Sequence, residues 1–430
     1  MKSASRTTGQ PIQVSVKIGL LHYSVPPVVG GVEGVIGHHA RLLAAAGHQV
    51  RLIAARGAAP QPGLEYVELP LIGSRHPRVL AAKAELDTGR VPADFEALAA
   101  EIAAALRPAL AELDVLLAHN VASLHKNLAL TAALHRLHAE PPGPRLILWH
   151  HDLAWAAPHY QAELHPGYPW NLLRTNWPGV TPVVISAVRR RELAALLGLA
   201  PDRIIVVPNG AETALLLKLE PQTQALVAAW GLSAAQPLLL LPVRLTPRKN
   251  IELALHILAA LRAGPLPQAM LLVTGPEGAH NPANAAYRAK LLALRDALGL
   301  SGAAHFAAEH SPDLLPDAVV ADCYRLADAL LLPSQQEGFG LPLLEAAFTR
   351  LPVFCAGIPA LRELGQGDVT YFAPDADPAA VAAAIAQRLA ADPVYRLAAR
   401  ARAGYTWEQV YARHLAPLLA AHAGPKVAVV

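Results

Sequence analysis

Short apolar runs alternate along the whole chain with Ala/Leu-rich stretches of helical spacing. Runs near 14–21, 50–54, 115–118, 146–149, 183–185, 204–207, 238–243, 270–273, 305–306 and 352–355, and one opening at Ala329, read as strands. Near-continuous apolar strands separated by helices mark a parallel sheet covered on both faces. Helices are expected over 39–46, 251–261, 287–298 and 319–327, and from Tyr405-Thr406-Trp407 to about 421. Where a run stops, polar residues follow: His22-Tyr23-Ser24, His119-Asn120, His150-His151-Asp152, Ser186 and Pro208-Asn209-Gly210. Open α/β sheets bind ligands at the carboxyl ends of their strands, so these residues should gather at one site.

At 430 residues the chain exceeds what one hydrophobic core supports, and two domains are expected. Much of its 53% hydrophobic content is alanine. No uninterrupted apolar segment approaches the roughly 18 residues that cross a bilayer. Residues 1–13 carry Lys2 and Arg6 without an apolar stretch, which reads as a loose tail and a cytoplasmic protein. A formal net charge of +3, with no Lys/Arg block, argues against a nucleic-acid partner. Cys323 and Cys355 have no metal-ligand spacing, so buried thiols are expected, without a disulfide framework or a zinc site.

The stretch Ala-Leu-Leu-Leu-Pro-Ser-Gln-Gln-Glu-Gly-Phe-Gly-Leu-Pro-Leu-Leu-Glu, from Ala329 to Glu345, carries the most chemistry. A strand, a turn with Gly338 and Gly340, and a helix start with Pro342 offer unpaired N–H groups to an anion. Glu337 precedes the turn. Glu345 falls among Leu343, Leu344, Ala346, Ala347 and Phe348, where a carboxylate needs hydroxyl partners such as a ribose diol. Arg244 and Lys249 lie between a strand and a helix start, where cations oppose the helix dipole unless an anion binds. A glycine-bearing turn around Gly275, in Thr274-Gly275-Pro276-Glu277-Gly278, follows the next strand, and the polar run 280–284 reads as an exposed excursion.

Gly30 and Gly31 stand in the loop after the first strand, but the G-x-G-x-x-G spacing of a dinucleotide site is absent. His150-His151-Asp152 could mimic a metal site, yet adjacent residues on an extended chain point to opposite faces. The segment 155–177 is rich in Pro, Tyr, Trp and His, including Tyr168 and Trp170; it suits either sugar stacking or a cap on the sheet.

The E-G-F-G-L-P-L-L-E motif, with seven residues between its glutamates, resembles the E-x7-E signature of the family-4 retaining glycosyltransferases. Arg244-Leu245, Lys249, Gly275, Pro208-Asn209-Gly210, His151-Asp152 and Gly30-Gly31 follow that family's pattern in order, and Asn250 stands where it commonly has glycine. The resemblance implies a GT-B fold of class α/β, with two Rossmann-like domains facing across a cleft and a last helix returning to the first. Expected bounds are 1–211, 212–404 and 405–430, with the linker between 211 and 236. It also implies hexose transfer from a nucleoside diphosphate sugar to a sugar, polyol or glycolipid hydroxyl, with retention and without metal or cofactor. Membrane association is expected only through the acceptor.

By the same resemblance Arg244 and Lys249 hold the diphosphate, aided by backbone N–H groups between Gly338 and Leu341. Glu345 holds the ribose, Glu337 and Phe339-Gly340 sit against the hexose, and His151 contacts it beside the reacting carbon. Gly30, Gly31, Asn209 and Gly275 complete the donor set, and His119, Asp152, Tyr168 and Trp170 form the acceptor set. Either His150 or His151 could be the histidine that faces the donor. A nucleotide-sugar epimerase, a disaccharide phosphorylase and a non-catalytic nucleotide-sugar sensor are the competing readings.

Overall fold

Among the described residues, thirteen strands form two sheets, and the strand pairs of both are parallel. The structure, a computed structural model, describes residues 15–277, 283–310 and 314–420. The tail expected over 1–13, Gly278 and the 280–282 part of the polar excursion lie outside them.

The first sheet holds β1 (Lys17–Leu21), β2 (Gln49–Ala54), β3 (Glu65–Glu68), β4 (Val115–His119), β5 (Arg145–His150), β6 (Thr181–Val184) and β7 (Ile205–Val206). Their order is β3-β2-β1-β4-β5-β6-β7. Leu20 of β1 sits opposite Leu52 on one side and Leu117 on the other. The second sheet holds β8 (Leu238–Leu241), β9 (Met270–Val273), β10 (Ala304–Phe306), β11 (Ala329–Leu332), β12 (Val353–Ala356) and β13 (Thr370–Phe372). Their order is β10-β9-β8-β11-β12-β13. The four leucines of β8 and the Ala-Leu-Leu-Leu of β11 are buried along their whole length, which is why these strands read as plain apolar runs.

In each sheet the strand order reverses once, between β1 and β4 and between β8 and β11. Chains leaving such a pair turn away to opposite sides and open a crevice at the carboxyl ends, the usual ligand position in doubly wound folds.

The chain divides into two compact units after Gly210 and after Thr406; residues 407–420 belong with the first. Those residues form a helix (Trp407–Val410), a π-helical turn (Tyr411–Leu415) and a further helix (Ala416–Ala420). Val410, Leu415, Leu418 and Leu419 share one apolar cluster with Ile18, Leu20, Leu52 and Trp149. Arg145 donates from Nη1 to the Leu418 carbonyl at 3.1 Å. Gly210 is needed at the junction, since a Cβ there would lie 2.6 Å from Cδ2 and 2.8 Å from Cα of Trp407.

Cys323 and Cys355 are buried free thiols, each pushed up to about 12 by burial. Among the described residues no helix is long and apolar enough to cross a membrane.

Candidate active site

In the second unit the functional side chains collect where β8 and β11 end. After β8 the chain passes Arg244, makes a short turn over Pro247–Lys249 and enters the helix Ile251–Ala263 through Asn250. Asn250 has φ +54, the left-handed conformation that glycine takes most readily and asparagine next, which accounts for glycine being common here. Its side-chain amide donates to the carbonyls of Pro333 at 3.2 Å and Pro374 at 2.9 Å, tying this turn to the loops after β11 and β13. The Gln335 N–H to Arg248 carbonyl bond, 2.9 Å, adds a second tie.

That fastening brings Lys249 against Glu337: the ammonium donates to both carboxylate oxygens at 2.6 Å, with both side chains nearly buried. Arg244, by contrast, is exposed and makes no hydrogen bond or ion pair with the described residues. Arg248 is exposed and donates to the Gln336 carbonyl at 3.3 Å.

Gly340 caps the helix Leu341–Phe348 at φ +104, where a Cβ would also meet Leu361 at 2.8 Å. Gly338 has open space where its Cβ would be. Phe339 and Leu341 are exposed on either side of Gly340. Glu345 corrects the expectation of a carboxylate set in apolar surroundings. It lies on the exposed face of its helix, accepting the Tyr324 hydroxyl, because the neighbouring Leu343 and Ala346 take the inward positions. Gly275 lies under the Arg244 turn rather than on open surface: an added Cβ would fall 2.1 Å from the Val243 carbonyl oxygen. This approach lets the Leu245 N–H reach the Pro276 carbonyl at 3.0 Å.

In the first unit, histidines collect where β1, β4 and β5 end. His119 Nδ1 lies 3.1 Å from His151 Nε2, and the two rings stack. His22 Nδ1 donates to the His119 carbonyl at 2.7 Å. His39, from the helix Gly31–Ala45, packs its ring against Trp149 and Trp407. Burial, then the neighbouring histidines, drives His151 down to about 3 and His119 well below the usual imidazole range. His39 falls to about 3 for the same reasons. The cluster is therefore neutral near pH 7 and can offer hydrogen bonds without charge.

His151, not His150, joins this cluster; His150 lines a small cavity with Leu148, Leu172 and Trp177. His119 is fully buried behind His151, which corrects its assignment as an acceptor contact: it positions the other ring. Asp152 is exposed and accepts from Asn120 Nδ2 at 3.2 Å. Asn209 is exposed beyond β7. Gly30 caps its helix in extended conformation, and Gly31 begins it with open space at the Cβ position.

Trp170 is a further correction. It is 2% exposed and packs in the core with Leu172, Leu173 and Trp177, so the aromatic segment caps the sheet there. Tyr168 is partly exposed, with its ring edge-on to Phe95 and its hydroxyl accepting from Arg136 at 3.4 Å.

Asn120, expected at the site only as one of the polar residues that follow a strand, organises the turn. Its Oδ1 accepts the N–H groups of His151 at 2.8 Å and Asp152 at 3.2 Å, from a backbone at φ +58. An asparagine directly after a strand was the available signal, since it tolerates the left-handed conformation. Among the described residues, Asp87, His125 and Glu163 stand close enough to share a metal, but the Lys83 ammonium already bonds both carboxylates at 2.7 Å.

The Glycosyl transferases group 1 family profile matches residues 223–405, and the Glycosyltransferase Family 4 profile matches residues 29–215. The chain belongs to the family-4 glycosyltransferases. A D-inositol 3-phosphate glycosyltransferase of Kineococcus radiotolerans is 33% identical over 245 residues, 52% of this chain and 53% of that one. The serotype-specific mannosyltransferase WbdA of Escherichia coli is 42% identical over 76 residues, 18% of this chain and 9% of that one. The family-4 chain thus spans about half the length, or less, of the curated relatives it matches. Among solved structures, Anabaena HepE in complex with UDP and glucose aligns at 17% identity and TM-score 0.35, covering 94% of this chain and 100% of that one. The two parallel-sheet units of this family-4 glycosyltransferase are those of the GT-B fold.

Proposed function

We infer that the protein transfers a hexose from a nucleoside diphosphate sugar to a sugar, polyol or glycolipid hydroxyl, with retention and without a metal ion. The observation that carries this reading is the Lys249–Glu337 pair beside the unpaired Arg244 at the β8/β11 reversal. A leaving diphosphate needs cationic stabilisation, and a fixed ammonium with a free guanidinium supplies it in place of a divalent cation. Glu337 keeps Lys249 oriented before the donor arrives, and the neutral His151 suits a hydrogen bond beside an electron-poor sugar carbon. No second carboxylate is assigned as a nucleophile, so the glycosidase scheme does not apply. The sugar-transferring relatives support the substrate class, and the two free thiols accord with a cytoplasmic setting.

The test is turnover with UDP-, GDP- and ADP-hexoses and a panel of acceptors, in the presence of EDTA, with the product anomer read by NMR. Transfer with retained configuration is expected. Product formed without an acceptor, or only with inorganic phosphate, would replace transfer by epimerisation or phosphorolysis.

A further inference from the structure

An open pocket of about 610 Å³, counting the solvent in its mouth, lies beyond β1 and β2 in the first unit. Its walls include Tyr23, Ser24, Arg56, Ser74, Arg75 and His76. Gly73 shapes the floor, since a Cβ there would come 2.6 Å from that of Ala55. The chain after β3 is thereby pressed against the end of β2, bringing Arg75 and His76 round to Arg56.

Both arginines are exposed, and neither guanidinium has an ion-pair or hydrogen-bond partner among the described residues; the Arg56 carbonyl accepts the Val25 N–H at 2.9 Å. His76 Nδ1 accepts the Arg78 N–H at 3.3 Å, so the neutral ring carries its proton on Nε2, available to donate. Ser24 donates to Glu33 at 2.6 Å. Among the described residues Glu33 is the one carboxylate hydrogen-bonded to a side chain of this wall, and the bond goes to Ser24, leaving the two guanidinium groups unpaired. Tyr23 joins the pocket to the histidine cluster: its ring lies 4.8 Å from that of His22, and its hydroxyl donates to the Asn120 carbonyl at 3.4 Å.

We propose that this pocket holds a phosphomonoester carried by the acceptor, gripped by Arg56 and Arg75. Two guanidinium groups and an N–H donor around one opening match the oxygens of a phosphate, and guanidinium binds phosphate bidentately. The shared wall at Tyr23 sets the rest of such an acceptor beside His151. This assignment deepens the transfer reading and rests on it for the word acceptor; the anion site itself stands on the two arginines. The phosphate can belong to a free sugar or polyol phosphate or to a lipid headgroup.

Calorimetric titration of the full chain with D-glucose 6-phosphate, with D-glucose as the neutral control, tests the site. An Arg244→Ala/Lys249→Met/Glu337→Leu background removes the other cationic centre without stranding a buried charge. Binding of the phosphate ester but not glucose is expected in that background, weakened about tenfold or more by Arg56→Gln or Arg75→Gln and less by Arg75→Lys. Sedimentation with phosphatidic acid vesicles forms the lipid arm: capture lost in Arg56→Gln/Arg75→Gln assigns the same site to a headgroup. Phosphate binding that ignores both arginines, or binding in neither arm, overturns the proposal. Titration of wild type and Arg56→Gln/Arg75→Gln with UDP, GDP and ADP separates the two readings. Retained affinity for the nucleotide that wild type binds leaves the donor side intact whatever the anion pocket does, and a wild type that binds none of the three sinks the transfer reading alone.

Discussion

Glu337 grips the Lys249 ammonium with both carboxylate oxygens, and the two side chains are only 7% and 10% exposed. Removing one partner strands the other charge away from water. Glu337→Ala should therefore destabilise the second unit by about 3–5 kcal/mol, whereas Glu337→Leu/Lys249→Met should lose far less. Urea unfolding of the single and double variants checks this; equal losses would mean that the pair is not coupled. Whichever of UDP, GDP and ADP wild type binds should raise the melting point of Glu337→Gln more than that of wild type, because phosphate replaces the missing counter-charge.

Arg244 makes the opposite case. It is exposed and unpaired among the described residues, so Arg244→Ala should leave stability within about 0.5 kcal/mol of wild type. Affinity for whichever of UDP, GDP and ADP wild type binds should nonetheless fall about tenfold or more, as expected for the loss of a charge-assisted phosphate contact. Thermal melts and calorimetry on one preparation separate the two effects.

Asn120 combines a left-handed backbone with two accepted N–H bonds. Asn120→Ala should cost about 2–3 kcal/mol, from the φ penalty and the unmade bonds together. Asn120→Gly should cost less, because it keeps the backbone and loses only the side chain. Both should lower turnover by loosening His151, and denaturant melts beside kcat measurements report the two losses separately.

The buried histidines of the first unit set the acid limit. His39 and His151 are held near 3 and His150 near 4 by burial, while the same rings titrate near 6.5 in an unfolded chain. Below pH 6.5 the unfolded state binds more protons, so stability is full above that value and drains away as pH falls towards 4 and 3. Each such ring contributes up to about 1.4 kcal/mol per pH unit. Chemical unfolding between pH 7.5 and 4.5 should show this slope, and His39→Leu should reduce it by about one proton; an unchanged slope would exclude His39.

Glycines that look alike in the motifs should behave differently. Gly275→Ala forces a Cβ to 2.1 Å from a backbone oxygen that cannot move without disturbing β8, and it should lower the melting point sharply. Gly338→Ala meets open space and should fold normally, with its effect confined to donor binding. Melting curves with and without the nucleoside diphosphate that wild type binds distinguish them.

The buried parallel strands were legible because residues covered on both faces must be apolar, as in β8 and β11. β3, Glu-Tyr-Val-Glu, and β13, Thr-Tyr-Phe, escaped notice because edge strands are covered only in part and show no apolar run. The charged residues of the motif were legible from type and spacing, but the bond between Lys249 and Glu337 spans 88 positions and depends on Asn250 fastening two loops. Trp170 misled because a ring that stacks on sugar and a ring that caps a core share one composition; only neighbours such as Leu172 and Trp177 decide between them.

The first unit begins long before the second and is completed only after it. Val410, Leu415, Leu418 and Leu419 cover the same core that Ile18 and Trp149 start. During synthesis, therefore, the early sheet must wait, with one apolar side uncovered, for some two hundred intervening residues to emerge. A stop codon just before Trp407 would spare every residue of the second unit and still cripple the first.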